Sequence, residues 1–276
     1  MTDESGKASG IQIETVTTDS CSMNYFKFGK GSQTLIMIPG LSVQSVMGSA
    51  ELVASAYAPM SDDFTIYLFD RRSDLPATYT VDDMARDTAG AIRKLGLSNV
   101  DIFGASQGGM IAMKIAIDNP DLVHKLVLGS TSAKIGDNEF DGVKAWVDLA
   151  RKGDAEALYL AFGEAIYPTE IYEQSKDLLI QVAKTVTEED MNRFVILAEG
   201  MKGFDVTADL NKITCPVLVI GSSDDRVLGS EASELISECM KGKDGFEIYM
   251  YEGFGHAAYD TAPDYKDRLM KFLLSK

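Results

Sequence analysis

Short apolar runs alternating with amphipathic stretches predict an α/β protein with a mainly parallel, eight-stranded sheet flanked by helices. Three observations carry that expectation. The apolar runs recur at the spacing of strand–helix units, several end at Gly, Pro or Asp, and one long all-helical stretch interrupts the rhythm after the sixth run. A chain of 276 residues, 45% apolar, with 24 glycines against 7 prolines, suits one large domain carrying an inserted segment and many tight connections.

Residues 1 to 10 are polar and are expected to fray. Ile11 to Thr17 and Met23 to Phe28 alternate with period two and read as antiparallel edge strands. Thr34 to Ile38 is continuously apolar up to Pro39-Gly40, as a central strand would be. Val43 to Tyr57 is helical in composition, and Phe64 to Phe69 is another buried strand, ending at Asp70-Arg71-Arg72. Thr80 is placed to cap a helix from Val81, with Asp83 at its third position, and the stripe Met84, Ala91, Ile92, Leu95 stops at Gly96.

Val100 to Phe103 is the next strand, followed by a helix to Asn119-Pro120 and a strand over Leu126 to Gly129. From Asp137 to Asp209 only helical patterns occur: Val143 to Lys152, Ala155 to Phe162, Ile171 to Val186 and Asp190 to Met201. Strands resume at Pro216 to Ile220 and Phe246 to Tyr251, with helices near Ala232 to Met240 and from Pro263. The simplest division is a core of residues 11–136 and 210–276, with a helical cap over 137–209 inserted after the sixth strand. Such an insertion lies over the carboxyl ends of the strands, where open α/β sheets bind ligands.

The charge excludes some partners. With 42 acidic and 26 basic side chains the net charge is −16, which disfavours nucleic acid and anionic membranes. It also weighs against highly anionic substrates. The first residues lack an export signal, and no segment approaches the length of an apolar membrane span. Cys21, Cys215 and Cys239 have no metal-type spacing and fit reduced, structural thiols in a cytoplasm. No cofactor or metal is implied, and nothing in the sequence specifies an oligomeric state.

The chemistry centres on Gly104-Ala105-Ser106-Gln107-Gly108. The pentapeptide is a weak signal alone, but here it joins a strand to a helix, the setting in which a sharp turn lifts a serine out of the sheet. Gly104 and Gly108 lack the Cβ atoms that would obstruct that turn. A serine nucleophile needs a base, and the chain has two histidines. His124 starts a strand, at the sheet edge opposite Ser106. His256 follows the last strand in Gly253-Phe254-Gly255-His256, on the same edge as Ser106. The carboxylate that orients the histidine is Asp224 or Asp225, directly after the strand ending at Ile220, and spacing does not choose between them. An oxyanion needs two backbone donors: Gln107, at the start of a helix, supplies one, and Leu41, in Pro39-Gly40-Leu41-Ser42, is the candidate for the other.

Ile38-Pro39-Gly40-Leu41, Phe69-Asp70-Arg71-Arg72, Gly104 to Gly109, Pro216 to Gly221 with Asp225-Arg226, and Gly253 to His256 together resemble the α/β-hydrolase superfamily. The resemblance spans nearly the whole chain apart from the first ten residues and the detail of the cap. It is nearest to single-domain bacterial hydrolases of the esterase-like kind. It implies the α/β-hydrolase fold and favours Asp225 as the acid, because an acidic residue just before a basic one commonly fills that role. Pro39 departs from the family, many of whose members carry histidine there. Serine at position 106 argues against the haloalkane dehalogenases and epoxide hydrolases, which use aspartate.

The expected activity is hydrolysis of a small or medium carboxylic ester through an acyl-enzyme. Ser106 is then the nucleophile, His256 the base, Asp225 its partner, and Leu41 and Gln107 the oxyanion donors. The same groups would also serve carbon–carbon bond hydrolysis, lactone opening or perhydrolysis, and a third alternative is a ligand-binding protein whose triad is idle. Trp146, Tyr159, Phe162 and Met191 in the cap suit an apolar acyl pocket, or ordinary helix packing.

Overall fold

The computed structural model describes residues 10–275; the first nine residues, most of the stretch expected to fray, lie outside them. In chain order the strands are β1 (Ile13–Thr17), β2 (Ser22–Gly29), β3 (Gln33–Ile38), β4 (Phe64–Arg72), β5 (Val100–Ala105), β6 (Val123–Gly129), β7 (Val217–Ser222) and β8 (Phe246–Tyr251). The helices are α1 (Ala50–Ala56), α2 (Val81–Lys94), α3 (Gln107–Asp118), α4 (Asp137–Arg151), α5 (Ala155–Ile166), α6 (Thr169–Ala183), α7 (Glu188–Glu199), α8 (Ser230–Cys239), α9 (Ala258–Thr261) and α10 (Tyr265–Leu273).

One eight-stranded sheet runs in the order β1-β2-β4-β3-β5-β6-β7-β8. Strands β3 to β8 are parallel, while β2 is antiparallel to both β1 and β4. Only β1 is therefore an edge strand on that side. β2 lies inside because it pairs with β1 along one edge and β4 along the other, and both of its faces are covered: Met23 and Tyr25 join one apolar cluster, Phe26 and Phe28 the other.

Period-two alternation sorts the central strands between two cores. Ile36, Ile38, Ile102, Leu126 and Leu128 pack with α2, α3 and α8, whereas Leu35, Met37, Phe103 and Val127 pack with α1 and α10. Burying these side chains supplies the main stabilisation, at roughly 25 cal/mol per Å² of apolar surface.

Thr80 and Asp83 form the expected reciprocal cap, the Asp83 N–H donating to Thr80 Oγ1 at 3.3 Å and the Thr80 N–H to Asp83 Oδ2 at 3.0 Å. The helix expected over Val43 to Tyr57 is shorter. A 3₁₀ turn at Val46–Ser49 precedes α1, and residues 43–45 are not helical. Ser45 explains the difference: its hydroxyl accepts from the Met47 N–H at 3.3 Å and donates to Asp70 at 2.5 Å, bonds that compete with a helical first turn. Four helices, α4 to α7, occupy the chain between β6 and β7. Cys21, Cys215 and Cys239 are unpaired, and burial pushes the Cys215 thiol up to about 11.

The strand order reverses at β3. Its successor β4 lies on one side and β5 on the other, so the connections leaving β3 and β5 diverge and open a crevice at their carboxyl ends.

Candidate active site

Ser106 follows β5 directly, with φ +52° and ψ −122°. A residue with a side chain rarely adopts that backbone region, and holding it there costs on the order of 1–3 kcal/mol. Hydrogen bonds to neighbouring segments hold the turn. The Ser106 N–H donates to the Gly129 carbonyl at 2.8 Å, and the Ser106 carbonyl accepts from the Thr131 hydroxyl at 2.7 Å. Flanking chains approach closely enough to demand glycine: a Cβ on Gly104 would come within 2.3 Å of the Gly108 carbonyl oxygen, and one on Gly108 within 2.0 Å of the Ile38 carbonyl oxygen.

Ser106 and His256 line one cavity of about 40 Å³, together with Gly40 and Leu41 from the loop after β3. His256 is buried in the loop between β8 and α9. Its Nδ1 lies 2.8 Å from Asp225 Oδ2, and both side chains are only 3% exposed. The other Asp225 oxygen accepts from the Val227 and Leu228 N–H groups at 2.8 and 3.0 Å, which fixes the carboxylate behind the ring.

Asp224 points elsewhere. It accepts from the Ser222 hydroxyl at 2.7 Å and from the Gly253 and Gly255 N–H groups at 3.0 and 3.1 Å, tying the β7 loop to the loop that carries His256. Burial alone would raise the Asp224 carboxyl, but these hydrogen bonds more than reverse it and hold it below its ordinary value. Arg226 pairs with neither aspartate and donates to the Tyr167 carbonyl at 3.1 Å.

Gln107 opens α3, so its N–H has no acceptor within the helix. The Leu41 N–H makes no hydrogen bond among the described residues. The chain segments bearing these two groups share one buried guanidinium. Arg71 Nη2 donates to the Pro39 carbonyl at 2.7 Å and to Gln107 Oε1 at 3.0 Å, while Gln107 Nε2 donates to the Leu197 carbonyl of α7 at 2.7 Å. Burial lowers Arg71 to about 10, with Asp70 opposing the shift, so it stays charged at neutral pH. Asp70 accepts from the Arg71 N–H at 2.8 Å, the Ser45 hydroxyl at 2.5 Å and Arg193 of α7 at 2.5 Å. Sequence reasoning used Asp70 and Arg71 to end a buried strand and as part of a resemblance, assigned them no role at the site, and missed Arg193.

His124 lies at the amino end of β6, its Nδ1 2.8 Å from Asp101 Oδ1. About five residues of strand separate it from the Ser106 edge, roughly 16 Å at the rise of a β-strand. Of the aromatic and methionine residues singled out between β6 and β7, Trp146 and Phe162 line the small cavity and pack at a tilt of 55° with centroids 4.7 Å apart. Tyr159 and Phe162 face a larger adjoining chamber, and Met191 is buried in the core. Among the described residues no cluster of side chains could hold a metal ion, and no helix is long and apolar enough to cross a membrane.

Known proteins share this architecture. The protein named "Putative carbamate hydrolase RutD" from Rhizobium rhizogenes is 23% identical over 254 residues, covering 89% of this chain and 94% of its own. The 3-oxoadipate enol-lactonase 2 of Acinetobacter baylyi is 22% identical over 220 residues, covering 78% and 80%. The crystal structure of MGS-M2, an alpha/beta hydrolase enzyme from a Medee basin deep-sea metagenome library, superposes with a TM-score of 0.85. It is 20% identical and covers 95% of this chain and 98% of its own. Residues 35–265, from the first central strand to the last helix, match the family model, and the chain belongs to the alpha/beta hydrolase family.

Proposed function

We propose that the protein is a serine hydrolase that cleaves a small or medium carboxylic ester through an acyl-enzyme. His256 removes the Ser106 proton as Oγ attacks the acyl carbonyl, Asp225 fixes the imidazole tautomer and stabilises the imidazolium, and the Leu41 and Gln107 N–H groups receive the oxyanion. His256 then returns the proton to the leaving alcohol, and water, activated by the same base, releases the acid. Residues 11–136 and 210–276 act as the core that carries these groups, and 137–209 as the cap that shapes the substrate's surroundings.

The observation that carries this reading is the buried His256–Asp225 pair at 2.8 Å behind a cavity that His256 shares with Ser106. Its strained backbone supports Ser106 as the nucleophile, since strain of this kind collects at reacting residues. Lactone opening is the second reading. A lactone is a cyclic ester that the same groups would open, and one relative is named an enol-lactonase.

A fluorophosphonate probe is expected to label the protein at Ser106, with labelling and turnover of phenyl esters lost in Ser106→Ala. Folded protein that neither takes the label nor hydrolyses any ester or lactone of a chain-length panel would overturn the proposal.

A further inference from the structure

Beside the small cavity lies a chamber of about 690 Å³, within the size range of small-molecule sites. The two share Gly40, Leu41, Phe162, Ile166 and Tyr259, which sets the chamber directly against the cavity that Ser106 lines. The chamber wall is mostly apolar, and several of its polar groups are already engaged. The Ser42 hydroxyl donates to the Gln44 carbonyl at 2.8 Å, the Ser45 hydroxyl to Asp70 at 2.5 Å, and the Tyr159 hydroxyl to Gln44 Oε1 at 3.0 Å.

Asp260 is different. Among the described residues its carboxylate accepts no hydrogen bond and has no cation within salt-bridge distance, although it lines the chamber. Lys266, the nearest basic influence, sets its ammonium over the Tyr57 ring, 5.3 Å from the centroid. Asp260 is exposed by surface area, yet the protein around it pushes its carboxyl up to about 6, with Lys266 opposing the shift only in part. At neutral pH most of it is still ionised. An unpaired carboxylate on the wall of a mostly apolar chamber is the group an incoming cation would satisfy.

Two further observations agree on the sign of the ligand. Tyr57, Tyr167 and Tyr259 line the same chamber as Asp260, and their phenols are raised first by burial and further by the charge on Asp260. Aromatic faces and a carboxylate together form a surface suited to an ammonium group. The net charge of −16 acts in the same direction at long range, drawing cations in and repelling anions.

We infer that Asp260 recognises a cationic end of the substrate: the chamber takes an arm terminating in an ammonium group while the ester carbonyl lies at Ser106. This rests on the serine-hydrolase reading for the position of the carbonyl, but the cation subsite itself does not require turnover.

The test uses pairs of esters that differ only in charge. Phenyl 6-aminohexanoate against phenyl heptanoate carries the cation in the acyl arm, and butyrylcholine against 3,3-dimethylbutyl butyrate carries it in the alcohol. In one pair at least, the cationic member is expected to be preferred about tenfold or more in kcat/KM, and Asp260→Asn to bring that ratio close to one. Using the ratio cancels any effect of the substitution that both esters share. A ratio of one or below in both pairs, or a preference that survives Asp260→Asn, overturns the inference.

A second arm removes catalysis altogether. Calorimetry of hexylammonium on Ser106→Ala protein at neutral pH is expected to show binding that weakens about tenfold or more when Asp260→Asn is added. Asp260-dependent binding without hydrolysis of any ester leaves the cation subsite standing and removes the serine-hydrolase reading. Ser106-dependent hydrolysis with no dependence on Asp260 in either arm does the reverse.

Discussion

Arg71 and Gln107 meet inside the protein, Nη2 to Oε1 at 3.0 Å, and the same nitrogen holds the Pro39 carbonyl at 2.7 Å. One guanidinium thus sets the relative position of two chain segments that come from different strands and supply Leu41 and Gln107. Arg71 Nε finds no partner, so the buried group carries an unmet donor. Its value lies in the spacing it imposes.

Arg71→Met is therefore expected to act on rate more than on binding. Removing an oxyanion donor outright lowers kcat by about 10²–10³-fold. Letting the two proposed donors, Leu41 and Gln107, drift is expected to lower it about 10–100-fold, with KM changed less than about threefold. Steady-state kinetics on a phenyl ester, beside a thermal melt, checks this; a change confined to KM or to stability would make Arg71 a packing residue only.

The two adjacent aspartates are expected to separate by consequence. On the proposed triad, Asp225→Asn leaves His256 with a wrong hydrogen-bond partner and is expected to lower kcat by about 10³–10⁴-fold. Asp224→Asn turns an amide N–H₂ towards backbone donors, which destabilises by about 1–3 kcal/mol and reduces kcat by less than about thirtyfold. Kinetics and urea unfolding of both variants distinguish the roles, and the opposite order of kcat losses would exchange them.

These two residues also show what sequence reading reaches. Strongly periodic strands, the capped helix from Val81 and the four helices after β6 are legible because local pattern and tertiary burial agree there. Asp224 and Asp225 lie one residue apart in the same turn, so spacing could not separate them; the resemblance favoured Asp225, and the geometry sets that residue on the ring and Asp224 on two amides. The Asp70–Arg193 contact spans 123 positions and depends on how α7 docks, which no local pattern encodes. Asp260 reads as an ordinary polar residue, and its lack of a partner arises only from the protein folded around it. The shortened α1 reflects Ser45, whose hydroxyl finds Asp70 only once β4 is in register.

Gly108 tolerates no side chain. A Cβ there would sit 2.0 Å from a backbone oxygen of β3, which cannot rotate away as a side chain would. Gly108→Ala is expected to destabilise the fold by about 2 kcal/mol or more and to abolish fluorophosphonate labelling, read by urea unfolding and gel fluorescence. Normal labelling in this variant would mean that the turn relaxes easily.

Asp260 gives a pH signature with a definite sign. Its folded pKa of about 6 lies above the ordinary 3.8, so the neutral carboxyl favours the folded state at low pH, and that advantage is lost as pH rises through 6. Asp260→Asn, uncharged throughout, is expected to be more stable than the parent at pH 8 by on the order of 1 kcal/mol, after allowing for water in the chamber. The gap narrows as pH falls towards 5. Urea midpoints at the two pH values measure it, and a variant no more stable at pH 8 would show a carboxylate at ease in water.

Arg193 and Leu197 stand four residues apart on α7 and reach separate elements, the first Asp70 of β4 and the second Gln107 at the start of α3. Two such anchors, one ionic and one neutral, make it hard for the inserted helices to melt ahead of the strands beneath them. Heating is therefore expected to produce a single calorimetric transition, with equal calorimetric and van't Hoff enthalpies, in a protein whose connectivity alone would suggest two cooperative units.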